Sequence, residues 1–200
     1  MAYIIGITGS IATGKSTVAN YLKQLGYLVI DSDEVSHRAL VDSEYCIQEV
    51  KKYFPSSYRN GMIDRKIVAS IIFKDKQKRE ILNQIIHPYV INELENVKKR
   101  YQKQEQLIFF DIPLLYEVKL EYLCDEIWVV YTNQDIQLER LMKRNNISKE
   151  EALLRINSQM SIESKKELAD KIIDNQKDIA TLFQQIKQYI MEVNDGINGK

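Results

Sequence analysis

What this sequence has little of narrows it first. Its 200 residues include only two cysteines, three prolines, seven glycines and one tryptophan. Cys46 and Cys124 are neither close together nor numerous, which argues against a metal knuckle or a disulfide framework and suits a reducing compartment. No apolar stretch approaches the roughly 20 residues that span a bilayer, and no charged leader with an apolar core opens the sequence. A cytoplasmic protein with no membrane role is expected. Net charge is missing too. Twenty-eight basic residues cancel 28 acidic ones, so no global field draws nucleic acid, and any phosphate-binding cations must be arranged locally. A small-molecule partner and a monomer are expected. There are no internal repeats and no low-complexity linkers. With 44% hydrophobic residues, a chain of this length can bury a core and suits one domain carrying an insertion.

What is present begins at the start. Tyr3–Thr8 is an apolar run that reads as a buried strand, and Gly9-Ser10-Ile11-Ala12-Thr13-Gly14-Lys15-Ser16 follows, with Thr17 leading into a helical pattern. The pattern is that of a phosphate-gripping loop. Gly9 and Gly14 allow backbone angles and close approach that a Cβ forbids, so successive N–H groups can turn onto an anion. Lys15 adds a cation for the β- and γ-phosphates, and Ser16 offers a hydroxyl to Mg²⁺. The helix N-terminus contributes about half a positive charge. A Gly-containing turn could match this pattern by chance, but the match falls between a strand and a helix, where its chemistry requires it.

The helix is expected to run to about Gln24, with Gly26 as its C-cap, before a second strand, Tyr27–Ile30, ending in Asp31-Ser32-Asp33. A strand–helix–strand unit of this size is a right-handed parallel crossover, which places Asp31 and Asp33 at the sheet edge of the phosphate loop. From 34 to 106 the pattern turns helical: Glu34–Val41, Ile47–Phe54, Lys66–Phe73 and Lys76–Tyr101, punctuated by Pro55, Gly61 and Pro88 and containing no convincing strand. Its apolar residues at helical spacing read as a core face. This region is read as a helical insertion over an acceptor substrate.

Leu107–Asp111 is a third buried strand whose terminal carboxylate is a candidate Mg²⁺ ligand opposite the loop. Ile127–Tyr131 is a fourth, ending at Thr132. Two helical patterns follow, Asp135–Arg144 and Ser148–Met160, the second opened by a capping box of Ser148 with Glu151. Arg140 with Arg144, and Arg155 with Gln159, are four apart and share helix faces. A basic helical hairpin here predicts a lid that closes guanidinium groups onto ATP and excludes water, although a solvated charged face is the bland alternative. Lys171–Asn175 reads as a fifth strand and Ile179–Val193 as a closing helix, before a frayed tail over Gly196–Lys200. Residues 1–33, 107–134 and 166–200 would form the nucleotide core, 34–106 the insertion and 135–165 the lid. The loop, Asp31 and Asp33, Asp111, Thr132 and Asn175 all follow strands, which lines them along one crevice of an open α/β sheet.

The ordered pieces Gly6-Ile7-Thr8-Gly9 with Gly14-Lys15-Ser16-Thr17, Ile30-Asp31-Ser32-Asp33 with Arg38, Ile86-His87-Pro88, and Asp111-Ile112-Pro113-Leu114-Leu115-Tyr116-Glu117 resemble the dephospho-CoA kinase family. The likeness continues through Arg140-Leu141 with Arg144, Glu151-Ala152 with Arg155-Ile156, Ser158-Gln159-Met160, and Ala169-Asp170 with Ile173-Asp174-Asn175. It implies an α/β P-loop kinase fold with a five-stranded parallel sheet, a helical CoA-side insertion and a lid. It also implies transfer of the ATP γ-phosphoryl group to the ribose 3′-hydroxyl of dephospho-CoA, with Mg²⁺. At matching positions, Asp33 looks like the base that takes the hydroxyl proton. Ala12 to Thr17 look like the ATP loop, and Arg140 like a phosphate-holding lid residue. Arg144 and Asn175 join the ATP side; Arg38, His87 and Leu114 join Asp33 on the acceptor side. For Asp33 a helix N-cap is the structural alternative. For His87, packing or capping beside a helix break competes evenly with substrate contact. Ser10 and Ala12 stand where the family commonly has glycine.

Two other readings can be weighed. Another small-metabolite or nucleoside monophosphate kinase would share the loop and the Arg lid, with no reason to reproduce the Asp31–Asp33, His87-Pro88 and Pro113–Leu115 series. A nucleotide switch or transport ATPase would be expected to carry an N-K-x-D or L-S-G-G-Q sequence, and neither occurs.

Overall fold

Runs of β-branched and aromatic residues bounded by turn formers become strands, and the computed structural model of the chain, which describes residues 1–198, arranges them in two compact units. The first comprises residues 1–30 and 104–200 of the chain; the second comprises 31–103.

In the first unit, strands β1 (Tyr3–Thr8), β2 (Leu28–Asp31, whose last residue opens the second unit), β5 (Leu107–Asp111), β6 (Glu126–Tyr131) and β7 (Lys171–Asp174) form a five-stranded sheet in the order β2-β5-β1-β6-β7. The pairings of β1 with β5, β1 with β6 and β6 with β7 are parallel, and the fold is the expected five-stranded parallel sheet flanked by helices. Every residue of β5 is buried, as is nearly every residue of β1 and β6. Such unbroken apolar strands belong to a sheet covered on both faces. On one face Ile5, Ile7, Phe109, Trp128 and Val130 pack with Val18 and Leu22 of α1 (Lys15–Gln24) and with Leu182, Ile186 and Ile190 of α9 (Ile179–Asn198). Trp128 meets Phe109 edge to face at 5.7 Å, and Tyr21 of α1 stacks on Phe183 of α9 at 3.6 Å. Three further helices, α6 (Gln134–Asn145), α7 (Lys149–Ile156) and α8 (Ile162–Glu167), fill the chain between β6 and β7. Within this unit the loop, Asp111, Thr132 and Asn175 lie at the carboxyl ends of parallel strands, since register pairs Ile7 with Asp111 and Tyr131 with Asp174.

The second unit is helical: α2 (Ser32–Asp42), α3 (Glu44–Tyr53), α4 (Arg65–Lys74) and α5 (Lys76–Tyr101). Each begins at a residue whose side-chain oxygen accepts from the first turn: Asp31, Ser43, Asp64 and Asp75 in order. Such caps satisfy N–H groups that the helix itself leaves unpaired. Val35, Ala39, Cys46, Val50, Leu82, Ile85 and Leu94 are buried on the inward faces of α2, α3 and α5.

Several sequence expectations need correction. The region 34–106 does contain strands: Tyr58–Arg59 (β3) and Met62–Ile63 (β4) pair antiparallel around Asn60-Gly61, both at positive φ. Two-residue strands are too short to show alternation, but an Asn-Gly turn is their signal. The helix expected over Lys76–Tyr101 is found with those bounds, but Pro88 does not break it, since α5 runs unbroken for 26 residues around it. The pattern Ser148–Met160 is shorter than expected, since α7 stops at Ile156 and α8 was not anticipated. Gly26 follows the C-cap of α1, which is Leu25. The closing helix continues through Asn198, so the tail expected from Gly196 is helical up to there and its last two residues lie outside the described ones. No helix among the described residues is long and apolar enough to cross a membrane.

Candidate active site

The loop after β1 is shaped by three backbone choices. Gly14, the N-cap of α1, is left-handed at φ 94° and supplies no side-chain cap, so no side chain of its own occupies the N–H groups of the first turn. A Cβ on it would lie 2.0 Å from Asn175 Nδ2, so glycine is required by space as well as by φ. Gly9 is required by close approach alone, since a Cβ there would sit 2.9 Å from the Val130 carbonyl oxygen. Ala12 is left-handed at φ 63° despite its Cβ.

Lys15, the first residue of α1, is mostly buried and its ammonium pairs with the carboxylate of Asp111, which is 3% exposed at the end of β5. The structure therefore brings a cation and a carboxylate together at the N-terminus of α1. Ser16 is exposed one residue further on, and Thr17 donates back to the Gly14 carbonyl at 2.9 Å. Among the described residues no three His, Cys, Asp or Glu side chains assemble into a metal cluster. Ser16 and Asp111 are hard oxygen donors of the kind Mg²⁺ takes, and Mg²⁺ ordinarily completes its shell with phosphate and water rather than with a protein cage. The residues present fit that ion.

The loop is held from above by residues far along the chain. Asn175, 9% exposed, donates from Nδ2 to the Thr13 carbonyl at 2.8 Å. Arg140 in turn donates from Nη2 to the Asn175 carbonyl at 3.0 Å, so this expected lid arginine reaches the loop through Asn175. Arg144 does not join it: exposed on α6, it donates from Nε to Asn145 Oδ1 at 2.9 Å. Gln137 donates to the Ile11 carbonyl at 2.7 Å, and Gln159 accepts from the Ile11 N–H at 2.8 Å. Ile11 and Ala12 also pack against Leu138, Leu141, Ala152 and Ile156 of α6 and α7. Because α7 ends at Ile156, Arg155 and Gln159 do not share a helix face. Arg155 pairs with Glu151 at 2.6 Å while its Nε is buried without a hydrogen-bond partner. Thr132, after β6, also has a buried hydroxyl without one. Leu114 lies 39% exposed in the turn after β5.

Sequence reasoning missed the polar contacts beneath this loop. Lys165 of α8 is fully buried, and its Nζ donates to the Pro113 carbonyl at 2.9 Å and to Glu117 at 3.0 Å. Burial pushes its ammonium below the ordinary lysine range, the Glu117 carboxylate opposes that, and the charge of Lys15 adds to it. A lone lysine in a charged helical segment carries no signal of burial.

In the second unit, Asp31 is the N-cap of α2, accepting from the N–H groups of Asp33 and Glu34 at 2.8 and 3.2 Å. The capping alternative for Asp33 is thus filled by Asp31, and Asp33 lies exposed in the first turn of α2. Arg38, one face along, is exposed and 4.0 Å from Glu93 of α5. His87 is half-buried inside α5 rather than beside a break, and burial pushes its imidazole below the ordinary histidine range.

Comparison with known proteins accords with this geometry. The family profile described as dephospho-CoA kinase matches residues 3–181. A curated dephospho-CoA kinase from Listeria innocua is 43% identical over 193 residues, covering 95% of this chain and 96% of its own. Among solved structures, the dephospho-CoA kinase from Campylobacter jejuni is similar at 32% identity and a TM-score of 0.76, with 98% of this chain and 99% of that one covered. A crystal structure from Thermus thermophilus is similar at 34% identity and a TM-score of 0.79, covering 96% and 97%. The chain belongs to the dephospho-CoA kinase family and is an ATP-dependent kinase acting on an alcohol group.

Proposed function

We propose that this chain phosphorylates the ribose 3′-hydroxyl of dephospho-CoA with the γ-phosphoryl group of ATP, giving CoA and ADP, and that the residues described above divide the work. The observation that supports this reading best is the phosphate loop, with its glycine N-cap and the Lys15–Asp111 pair beside it. Phosphoryl transfer asks a protein mainly to hold an acceptor oxygen in line and to stabilise spreading negative charge. Gly9, Ala12, Thr13, Gly14 and Thr17 shape the cradle for the polyphosphate. Lys15, paired with the Asp111 carboxylate, presents its ammonium to the β- and γ-phosphates. Arg140, tied to the loop through Asn175, adds a guanidinium group on the lid side, and Arg144 would add a second only by leaving Asn145. Asp33 takes the proton of the attacking hydroxyl, while Arg38, His87 and Leu114 hold the acceptor. Ser16 and Asp111 would hold Mg²⁺, which when bound screens the charge between the phosphates. We read the enzyme as a cytoplasmic monomer that works on small molecules, without nucleic acid or membrane partners.

The test is to incubate the protein with Mg-ATP and dephospho-CoA and to follow CoA by mass spectrometry. The wild type is expected to make CoA. Asp33→Asn is expected to bind ATP normally yet lose about 100-fold or more in turnover, the scale of general-base catalysis. A near-normal rate at saturating dephospho-CoA would remove Asp33 from the base role.

A further inference from the structure

A closed path of hydrogen bonds leaves the phosphate loop and returns to it. Thr8, at the end of β1, donates from Oγ1 to the Pro113 carbonyl at 3.1 Å. The same carbonyl accepts from Lys165 Nζ, which also donates to Glu117. Glu117 Oε1 accepts from the Met160 N–H at 3.0 Å, and the Met160 carbonyl accepts from Ser10 Oγ at 3.1 Å. Thr8 and Ser10 flank Gly9, so the path closes through the first residues of the loop itself. Beside it, Gln159 receives the Ile11 N–H, which makes the turn 158–160 a second wall of the loop.

Two features separate this path from hydrogen bonds made in contact with water. Lys165 is 0% exposed and its carboxylate partner is mostly buried, so both charges are held where an uncompensated one would be costly. Ser10, where the resemblance commonly finds glycine, closes the path with a hydroxyl that glycine lacks. The Ser10 hydroxyl thus ties the loop to the turn at Met160.

We propose that Glu117 and Lys165 are positioning residues for ATP, setting the phosphate loop through Met160 and Ser10. Neither residue touches the phosphates. Glu117 fixes the Met160 peptide, the Met160 carbonyl and Gln159 fix Ser10 and Ile11, and Lys165 holds Glu117 pointed at Met160. The proposal rests on the reading of the loop as the ATP site.

The test uses Glu117→Gln, Lys165→Met, the double variant and Ser10→Ala in the full chain, with initial rates over both substrates and calorimetric binding of ATP. In Glu117→Gln and Lys165→Met the KM for ATP is expected to rise about tenfold, the worth of one charge-assisted hydrogen bond. The KM for dephospho-CoA should stay within about twofold, and the double variant should be no worse than the poorer single one. Ser10→Ala, which touches no buried charge, should show the same selective rise on a smaller scale with an unchanged melting temperature. Equal rises in both KM values, or an unchanged KM for ATP in all folded variants, would reduce the path to packing. Calorimetry reads loop setting without turnover. A wild type that binds ATP but makes no CoA would overturn the acceptor assignment alone, and weakened ATP binding in the variants would still uphold the positioning role.

Discussion

Ala12 carries a left-handed backbone at φ 63°, a region where an L-residue pays about 1 kcal/mol or more in Cβ–carbonyl crowding. Its methyl group is compensated by packing against the α6–α7 cluster. Ala12→Gly removes the crowding, adds unfolded-chain freedom worth about 0.4–1 kcal/mol and gives up the methyl contact, so its stability should stay within about 1 kcal/mol of the wild type. Ala12→Val should lose about 2 kcal/mol or more and weaken ATP binding at least tenfold, because a β-branched residue resists positive φ. Thermal unfolding and ATP calorimetry on the two variants check this. The residue scale also shows what a sequence can hold. Gly14 and Lys15 were legible because a phosphate grip needs those atoms whatever surrounds them. Asn175 was legible as a residue of the loop side from its place after a strand, whereas the role of Glu117 was not, because it is defined by an N–H from a distant segment, and such contacts leave no spacing to read.

At the scale of elements, the long helix α5 holds its proline in the middle. Pro88 cannot donate to the carbonyl four residues back, and its ring crowds that turn. Pro88→Ala should therefore raise stability by about 1–3 kcal/mol in urea unfolding, since the substitution restores one helical bond at an exposed position. No gain would mean that the helix has already relaxed around the ring. The five strands were legible to within a residue or two because buried parallel strands are continuous apolar runs between turn formers. The β3–β4 hairpin and α8 were not, since both are so short that their hydrophobic pattern never repeats. Propensity at Pro88 was overruled by tertiary packing on both sides, where Ile85, Ile86 and Val90 are buried.

At the scale of the whole molecule, groups near the start of β1 make stability depend on pH in the alkaline range. Burial and the Glu126 carboxylate, to which its hydroxyl donates at 3.2 Å, push the Tyr3 phenol up to about 12 from an ordinary 10.0. Between those values the unfolded chain has released the proton that the folded chain keeps, so stability falls as pH rises from 10 toward 12 and is unaffected by this group below 10. Tyr116, also pushed up by burial, acts in the same direction, while Lys165, pushed down, acts in the opposite one. Urea midpoints across that range should decline less steeply in Tyr3→Phe than in the wild type; equal slopes would exclude Tyr3 as a source. Fold class and family were legible at this scale because many local motifs agree in order. The bracing of the loop was not, because it joins residues separated by most of the chain. Ile11 meets Gln159 148 positions later, and Thr13 meets Asn175 162 positions later. During synthesis, then, the ribosome delivers the phosphate-binding sequence first and its supports nearly last. A growing chain carries the nucleotide motif well before it can grip a nucleotide, so ATP cannot guide its early folding and can only reward the finished form.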